Sequence, residues 1–416
     1  MLPEEENKLL METGPGTMMG ELLRRYWMPI AAVAELDDMP IKAVRLMCED
    51  LVLYKDKSGT YGLIDAHCPH RRADLSYGII EEDGLRCNYH GWLFNEEGRC
   101  LHQPFEETAR PDSTFKDRTA IKSYSVEAKG GILWAYLGPK PAPLVPDYDF
   151  LNEPGYKQIV YAEIPCNWFQ CQENSIDPVH FEWLHSNWSR SLNGDFKRAP
   201  IHLKIGFDEF EYGFVYRRVM EGGTTDDDLW TIGRTCLWPN CLFTGDHFEW
   251  RVPIDDNNTL SVGWFFNAVP PEKRPFKQDS IPYWYSPIVE ETTGRWITSH
   301  VMNQDFTAWV GQGTTSDRWN EHLGESDRGV IMMRRRLADD VKVVADGGEP
   351  KALVRDPELN QCVPLPIIGR AELKGEGVAG LKLGPGQEAP PIEGFLFQYG
   401  QPPAVRQAYE DAMKRG

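Results

Sequence analysis

Between Ile41 and Gly138 the apolar and polar residues alternate in short runs broken by turn residues, the texture of a small all-β unit. KAVRLMCEDLVLYKDKSGTYGLID reads as a hairpin, two apolar runs joined by a Lys-Ser-Gly turn. WLFNEEGRCL is a second hairpin around Glu-Glu-Gly, and SYSVEAKGGILWAYLG closes the unit near Pro139. Ahead of it lie an acidic head, a Gly14–Gly16 turn and GTMMGELLRRYWMPIAAV, where Leu22, Leu23 and Tyr26 have helical spacing and Pro29 stops the helix. Behind it the proline-rich GPKPAPLVPDYDF reads as a linker.

Beyond the linker, YAEIPCNWFQCQENSIDPVHFEWLH passes from strand texture into a helix. HLKIGFDEFEYGFVYRRV, DLWTIGRTCLWPNCLF and HFEWRVPIDDNNTLSVGWFFNAV then alternate as strands of an extended antiparallel sheet, with turn chemistry near Asp256. Two helices are predicted afterwards, one around His300 to Val310 and one from an N-cap at Ser326 through RGVIMMRRRLADDV. Residues 346–400 are rich in Gly and Pro and are expected to wrap the surface, and PAVRQAYEDAMKR forms a terminal helix.

Composition narrows the class. A chain of 416 residues with 41% hydrophobic and 12% aromatic content is long and apolar enough for two packed units. The net charge of −19 argues against nucleic acid and against an anionic membrane surface as partners. Nine cysteines is an odd number, and only Cys68 and Cys87 sit in metal-ligand spacing. Cys166 with Cys171, and Cys236 with Cys241, read as small buried apolar residues rather than a disulfide framework. The opening MLPEEENK lacks the positive charge of a secretory signal, and no apolar run approaches ~18 residues, so a cytoplasmic location is expected.

The chemistry-bearing stretch is Cys68-x-His70, sixteen residues, then Cys87-x-x-His90. A structural zinc ribbon tends to group like ligands, whereas here each half offers one Cys and one His. That alternation suits a two-iron cluster with both thiolates on one iron and both imidazoles on the other. Pro69 stiffens the first loop, and Gly91 follows the second ligand pair. Further on, Asn174-Ser-Ile-Asp177-Pro-Val-His180 continues to His185. Residues five apart lie about 140° around an ideal α-helix, so the two imidazoles share a face only if the helix kinks or carries a π-bulge. Two His and one carboxylate form the facial triad of non-haem Fe(II) oxygenases, whose open positions take dioxygen.

CPHRRADL and CNYHGWLF resemble the Rieske [2Fe–2S] motif, down to Arg71 and Gly91-Trp92. With NSIDPVHFEWLH and a mainly β remainder, the chain resembles the α (oxygenase) subunit of Rieske non-haem iron aromatic-ring-hydroxylating oxygenases. GPGTMMGELLRRYWMP, RVPIDDNNT and SDRGVIMMRRRL resemble their phthalate-dioxygenase-like branch. The resemblance implies an α+β fold, with a small all-β Rieske domain and a helix-grip (START-like) catalytic domain whose antiparallel sheet is covered by helices. The implied division is 1–40, a helical segment packing on the catalytic domain; 41–140, the Rieske domain; and 141–416, the catalytic domain with a C-terminal extension. It implies Cys68, His70, Cys87 and His90 as cluster ligands, and His180, His185 and Asp305, within SHVMNQDFTAWVGQG, as iron ligands. It also implies that Asp177 joins His180 to His90 of the next subunit, an electron relay that requires a homotrimer or stacked trimers. Electrons would come from NAD(P)H through a reductase carrying flavin and an iron–sulfur centre, with dioxygen as co-substrate.

The expected reaction is hydroxylation of an aromatic carboxylate of the phthalate or benzoate kind, with O- or N-demethylation as the alternative. A carboxylate calls for an Arg fork in an apolar pocket. Arg234 is the preferred candidate, since charge is unusual within a strand of apolar neighbours, while Arg190 and Arg198 follow the iron helix. Asn174 is a candidate for the pocket wall. Trp183, Trp188 and Trp309 flank the ligands and could stack on a ring or simply pack the core.

Overall fold

The computed structural model describes residues 2–245, 247–366 and 399–414, and three sheets organise them. A six-stranded sheet takes its strands in the spatial order Met28–Ala32, Ile132–Tyr136, Ser123–Lys129, Tyr61–Asp65, Glu49–Lys55 and Ile41–Leu46. A four-stranded sheet of very short strands, Ile79–Glu81 to Cys100–His102, sits beside it and frames the cluster motif. The large sheet has eight strands, running from His202–Phe210 at one edge through His247–Asp255 and Asn258–Ala268 to Gly155–Ile164 and Tyr283–Tyr285. Among the described residues, no helix is long and apolar enough to cross a membrane.

Alternation assigns each face. In Glu49–Lys55, Leu51 and Leu53 join the core shared with the large sheet, while Val52 and Tyr54 face the core beneath the metal-ligand loops. Asn258–Ala268 is covered on both faces and reads accordingly as a nearly continuous apolar run. The two larger sheets meet through aromatic side chains: Trp134 packs edge-on against Trp250 at 5.1 Å, and Trp264 Nε1 donates to Gly130 O at 2.9 Å.

Three local features depart from the sequence reading. The stretch 1–40 carries helices at Glu4–Met11, Met18–Leu23 and Val33–Asp38, but Met28–Ala32 is a fully buried edge strand of the six-stranded sheet. KAVRLMCEDLVLYKDKSGTYGLID forms three strands, not two. Its extra turn is at Met47-Cys48, where both residues take left-handed φ (46° and 64°) without glycine. That conformation costs roughly 1–2 kcal/mol per residue, and tertiary contacts offset it. The Met47 and Cys48 N–H groups donate to Pro253 O and Ile254 O at 2.9 and 3.0 Å, and Arg24 donates to Met47 O at 3.1 Å. Ser326 lies in a short 3₁₀ turn, and Asp327 precedes the helix Arg328–Ala345. The Asp327 carboxylate reaches back to accept from the Gly324 N–H at 2.6 Å, closing the turn a residue later than Ser326 would. Of the Gly/Pro-rich stretch 346–400, residues 367–398 lie outside the described residues.

The helix Trp168–Asn174, which leads into the candidate iron site, is anchored by a buried charge cluster. Glu173 receives the Arg318 guanidinium at 2.6 Å and that of Arg334 at 2.6 Å, and Arg334 also pairs with Glu321. Burial alone would raise the Glu173 pKa, but Arg318 and Arg334 outweigh it and hold it below the usual carboxylate range. Glu173→Gln leaves two buried guanidiniums short of an acid and is expected to cost about 3–5 kcal/mol in urea unfolding at neutral pH. Because the folded-state pKa is depressed, the advantage of the native residue is full above the unfolded value of about 4.3 and is lost as pH falls through the lower folded value.

Candidate metal centres and active site

The two motif halves fold into matching loops. In each, the Cys N–H donates to the carbonyl five residues on (Cys68 to Ala73 at 2.9 Å, Cys87 to Trp92 at 2.8 Å). In each, the residue four on donates back to the Cys carbonyl (Arg72 at 2.9 Å, Gly91 at 3.0 Å) and takes left-handed φ, 61° and 76°. Glycine at position 91 therefore serves backbone conformation. The thiols are buried, the imidazoles half-buried, and the His70 and His90 rings stand 4.4 Å apart. His70 stacks on Trp92 at 4.5 Å, and its Nδ1 is buried with no hydrogen-bond partner. Burial pushes the Cys68 thiol up to about 11, so an uncharged thiol is the resting form unless metal replaces the proton. Among the described residues these four do not form a group of ligand atoms all within 4.8 Å of one another, the compactness a single ion requires; a two-iron cluster has no such need.

One group does meet that test: His180, His185 and Asp305. Phe181–Asn187 is π-helix, whose i→i+5 closure sets residues five apart one turn above each other, as a shared face for the two His demands. His180 Nε2 and His185 Nε2 lie 3.6 and 3.2 Å from the same Asp305 oxygen, which comes from the helix Val301–Gly311. Asn174 Nδ2 donates to that oxygen at 3.3 Å. His185 Nδ1 faces Gln304 Oε1 at 3.0 Å, while Gln304 Nε2 donates to Ser189 Oγ and Thr298 O. With its amide N committed to two acceptors, Gln304 presents its carbonyl to the ring, which leaves the His185 Nε2 lone pair directed at Asp305 and the metal position. His180 Nδ1 is buried without a hydrogen-bond partner and lies 3.7 Å from Asp177 Oδ2. Burial opposes charge on both, yet each partner holds the other: Asp177 is pushed below its ordinary range and His180 above.

The triad closes one end of a cavity enclosing ≈ 730 Å³ including its mouth. Its apolar lining comes from Phe181, Leu242, Phe265, Val301 and Met302. On the sheet side Arg234 lines it, and Arg218 lies beside Arg234, the two guanidiniums 4.9 and 5.5 Å from the Phe181 ring. Burial, then Arg234, pushes the Arg218 pKa down to about 10, which still leaves it charged at neutral pH. Both Nε atoms are buried without a hydrogen-bond partner, and no carboxylate among the described residues pairs with either group. Further across the sheet, Thr244, His247 and Glu249 also line the cavity.

Not every candidate lies there. Trp309 is buried beneath its helix, with the Arg251 guanidinium 5.0 Å from its ring, and does not line the cavity. Arg190 pairs with Asp195 at 2.9 Å, and Arg198 covers Trp183 on the outer surface at 4.8 Å. Arg218, Gln304, His247 and Glu249 were missed from sequence. Arg217-Arg218 held a signal: in a strand with one inward face, one of two successive arginines must point inward. Arg217 goes out to Asp208 at 2.6 Å and Arg218 goes in. Gln304 held another, as the neighbour of Asp305.

The family described as Rieske [2Fe-2S] domain matches residues 26–125. The chain is 55% identical, over 100% of its length and 97% of the relative's, to the 5,5′-dehydrodivanillate O-demethylase oxygenase subunit of Sphingobium sp. (strain NBRC 103272 / SYK-6). It is 31% identical to the phthalate 4,5-dioxygenase oxygenase subunit of Pseudomonas putida, over 82% of this chain and 86% of that one. Pseudomonas putida CBB5 NdmA with caffeine shares the fold at a TM-score of 0.57 and 20% identity, covering 82% of this chain and 99% of that one.

Gln304→Leu removes the acceptor that orients His185 and is expected to weaken iron binding at the triad about 10–100-fold. Competition against a ferrous chelator reads this, with the visible absorption of the cluster unchanged.

Proposed function

The chain belongs to the Rieske non-haem iron oxygenases as the oxygenase component of a multicomponent system, and we propose that its reaction is O-demethylation of a methoxylated aromatic carboxylic acid. The observation that carries this reading is the Arg218–Arg234 pair, two buried guanidiniums without an acid partner among the described residues, of which Arg234 lines the cavity that also holds His180, His185 and Asp305. Buried charge is costly unless paired, and a ligand carboxylate is the partner that two arginines best accept. Full-length similarity to a demethylase of a dehydrodivanillate favours a methyl ether over bare ring hydroxylation.

In such a reaction the methyl ether, dioxygen, two electrons and two protons give a phenol, formaldehyde and water. Iron held at the triad would supply the reductive activation of dioxygen, and a [2Fe–2S] cluster held by Cys68, His70, Cys87 and His90 would supply electrons one at a time. The chain's own contributions are positional. His180, His185 and Asp305 would hold the iron, and Arg234, with Arg218 behind it, would hold the carboxylate. Phe181, Phe265 and Met302 would flank the ring and exclude water.

Asp177 is assigned the relay between His180 and the partner subunit's His90, supported by its 3.7 Å separation from His180 Nδ1. That role requires a homotrimer or a pair of stacked trimers, since it needs a neighbouring cluster. An electron-transfer partner is inherent in the oxygenase component. We take it to be a flavin and iron–sulfur reductase fed by NADH, and the location to be cytoplasmic.

Dioxygenation of an aromatic acid is the second reading, favoured by the relative named for phthalate. Product analysis separates the two. With a surrogate reductase and 4-hydroxy-3-methoxybenzoate or 5,5′-dehydrodivanillate, demethylation releases one formaldehyde per substrate consumed. A cis-dihydrodiol without formaldehyde would establish the second reading. Arg234→Met is expected to raise KM for the acid about 10–100-fold, the loss of a charge-assisted hydrogen bond, with a smaller change in kcat.

A further inference from the structure

The cavity presents two unlike polar groups. One is the guanidinium of Arg234, with Arg218 beside it. The other is Glu249, which lines the same space, and its charge is already balanced: Oε2 accepts from Arg251 Nη2 at 2.6 Å and Oε1 faces His247 Nε2 at 2.9 Å. Burial would raise its pKa, but Arg251 first and then His247 hold it down at about 2. Arg251 is fully buried and its Nη1 donates to Glu249 O, so both of its Nη groups are held on Glu249 and the acid stays a carboxylate whether or not a ligand is bound. His247 is held flat against Phe265, ring centroids 4.7 Å apart, with Thr244 Oγ1 2.7 Å from its Nδ1.

A carboxylate with two engaged oxygens retains lone pairs but has nothing to donate. With its charge already balanced it offers a second anion no donor and no net attraction, and it accepts from a neutral donor. Register places it relative to Arg234. Glu249 pairs with Leu242 on the adjacent strand, and Leu242 with Cys236 on the next, two residues from Arg234 on the same face. One strand and a two-residue offset thus separate them, and the backbones of Arg234 and Glu249 are roughly 12 Å apart, a span that one substituted aromatic ring fills together with a hydrogen bond at each end.

We propose that Glu249, backed by Arg251 and His247, is a subsite for a ring hydroxyl, so that the substrate class is a hydroxylated aromatic acid bound with its carboxylate at Arg234 and its hydroxyl at Glu249. This rests on the aromatic-acid reading of the cavity. It adds a reason for a single orientation: reversing the ring would set the carboxylate against Glu249 and strand both arginines.

The test is calorimetric titration of the iron-loaded, oxygen-free holoprotein with two ligand pairs. One is 4-hydroxy-3-methoxybenzoate against 3-methoxybenzoate; the other is 5,5′-dehydrodivanillate against the same biaryl diacid without its hydroxyls. The native protein is expected to prefer the hydroxylated member of a pair by about tenfold or more, as a hydrogen bond to a charged group gives. In Glu249→Gln the preference is expected to fall to within about threefold, while Arg234→Met weakens both members together and keeps the ratio. Each ratio is taken within one variant, so a loosened fold does not imitate the effect. In the native protein alone, ultraviolet titration should show the bound phenol ionising at higher pH than the free one, since a neighbouring carboxylate disfavours phenolate. No preference in the native protein, or an unchanged preference in Glu249→Gln, overturns the hydroxyl subsite and leaves the aromatic-acid reading standing. Failure of every ligand to bind the native protein overturns that reading, and the subsite with it.

Discussion

Everything at the candidate iron site depends on one backbone choice, the π-helical turn at Phe181–Asn187. An α-helix would turn His180 and His185 well away from each other, and Asp305, fixed on a different helix, could then meet only one of them. The i→i+5 closure brings both Nε2 atoms within 3.6 Å of one Asp305 oxygen. A π-turn wastes a residue's worth of regular helix, so it persists only where surrounding contacts over-determine it. Those contacts are on both flanks: Asp177 Oδ1 accepts from Val179 N at 2.8 Å before the turn, and Gln304 joins His185 to Ser189 after it.

The same economy of charge runs outward from that turn. Near the metal position the chain sets two carboxylates, Asp177 and Asp305, around two imidazoles. Beside the cavity, Arg218 and Arg234 have no carboxylate partner among the described residues. Elsewhere in the catalytic domain the buried arginines are matched, Arg318 and Arg334 by Glu173, Arg251 by Glu249. The contrast between matched and unmatched guanidiniums, more than the presence of arginine, is what supports the proposed anion subsite.

Motifs with fixed short spacing were legible in the sequence because local chain geometry decides them. The two cluster loops need only five or six residues each, and the five-residue His spacing announced its own π-turn. The alternating strands of the large sheet were legible for the same reason. Long-range placement was not. Asp305 came from resemblance alone, since nothing local ties residue 305 to residue 180. Glu249 and His247 read as ordinary strand positions, and only the sheet register turns them to the cavity. Trp309 shows the converse: an aromatic one helical turn beyond a ligand packs in the core against Arg251 and stays out of the cavity. Met47-Cys48 lacked every glycine or asparagine cue for a tight turn, because the strain is offset by hydrogen bonds to a strand two hundred residues away.

The measurement closest to the centre of this picture is iron content with electron paramagnetic resonance of the dithionite-reduced protein, compared between the native chain and Asp305→Ala. The expected result is about three irons per chain, two in the cluster and one at the triad, falling to about two in the variant while the Rieske signal is unchanged. Two irons in both proteins, with the same Rieske signal, would contradict the assignment of His180, His185 and Asp305 as the site where dioxygen chemistry occurs.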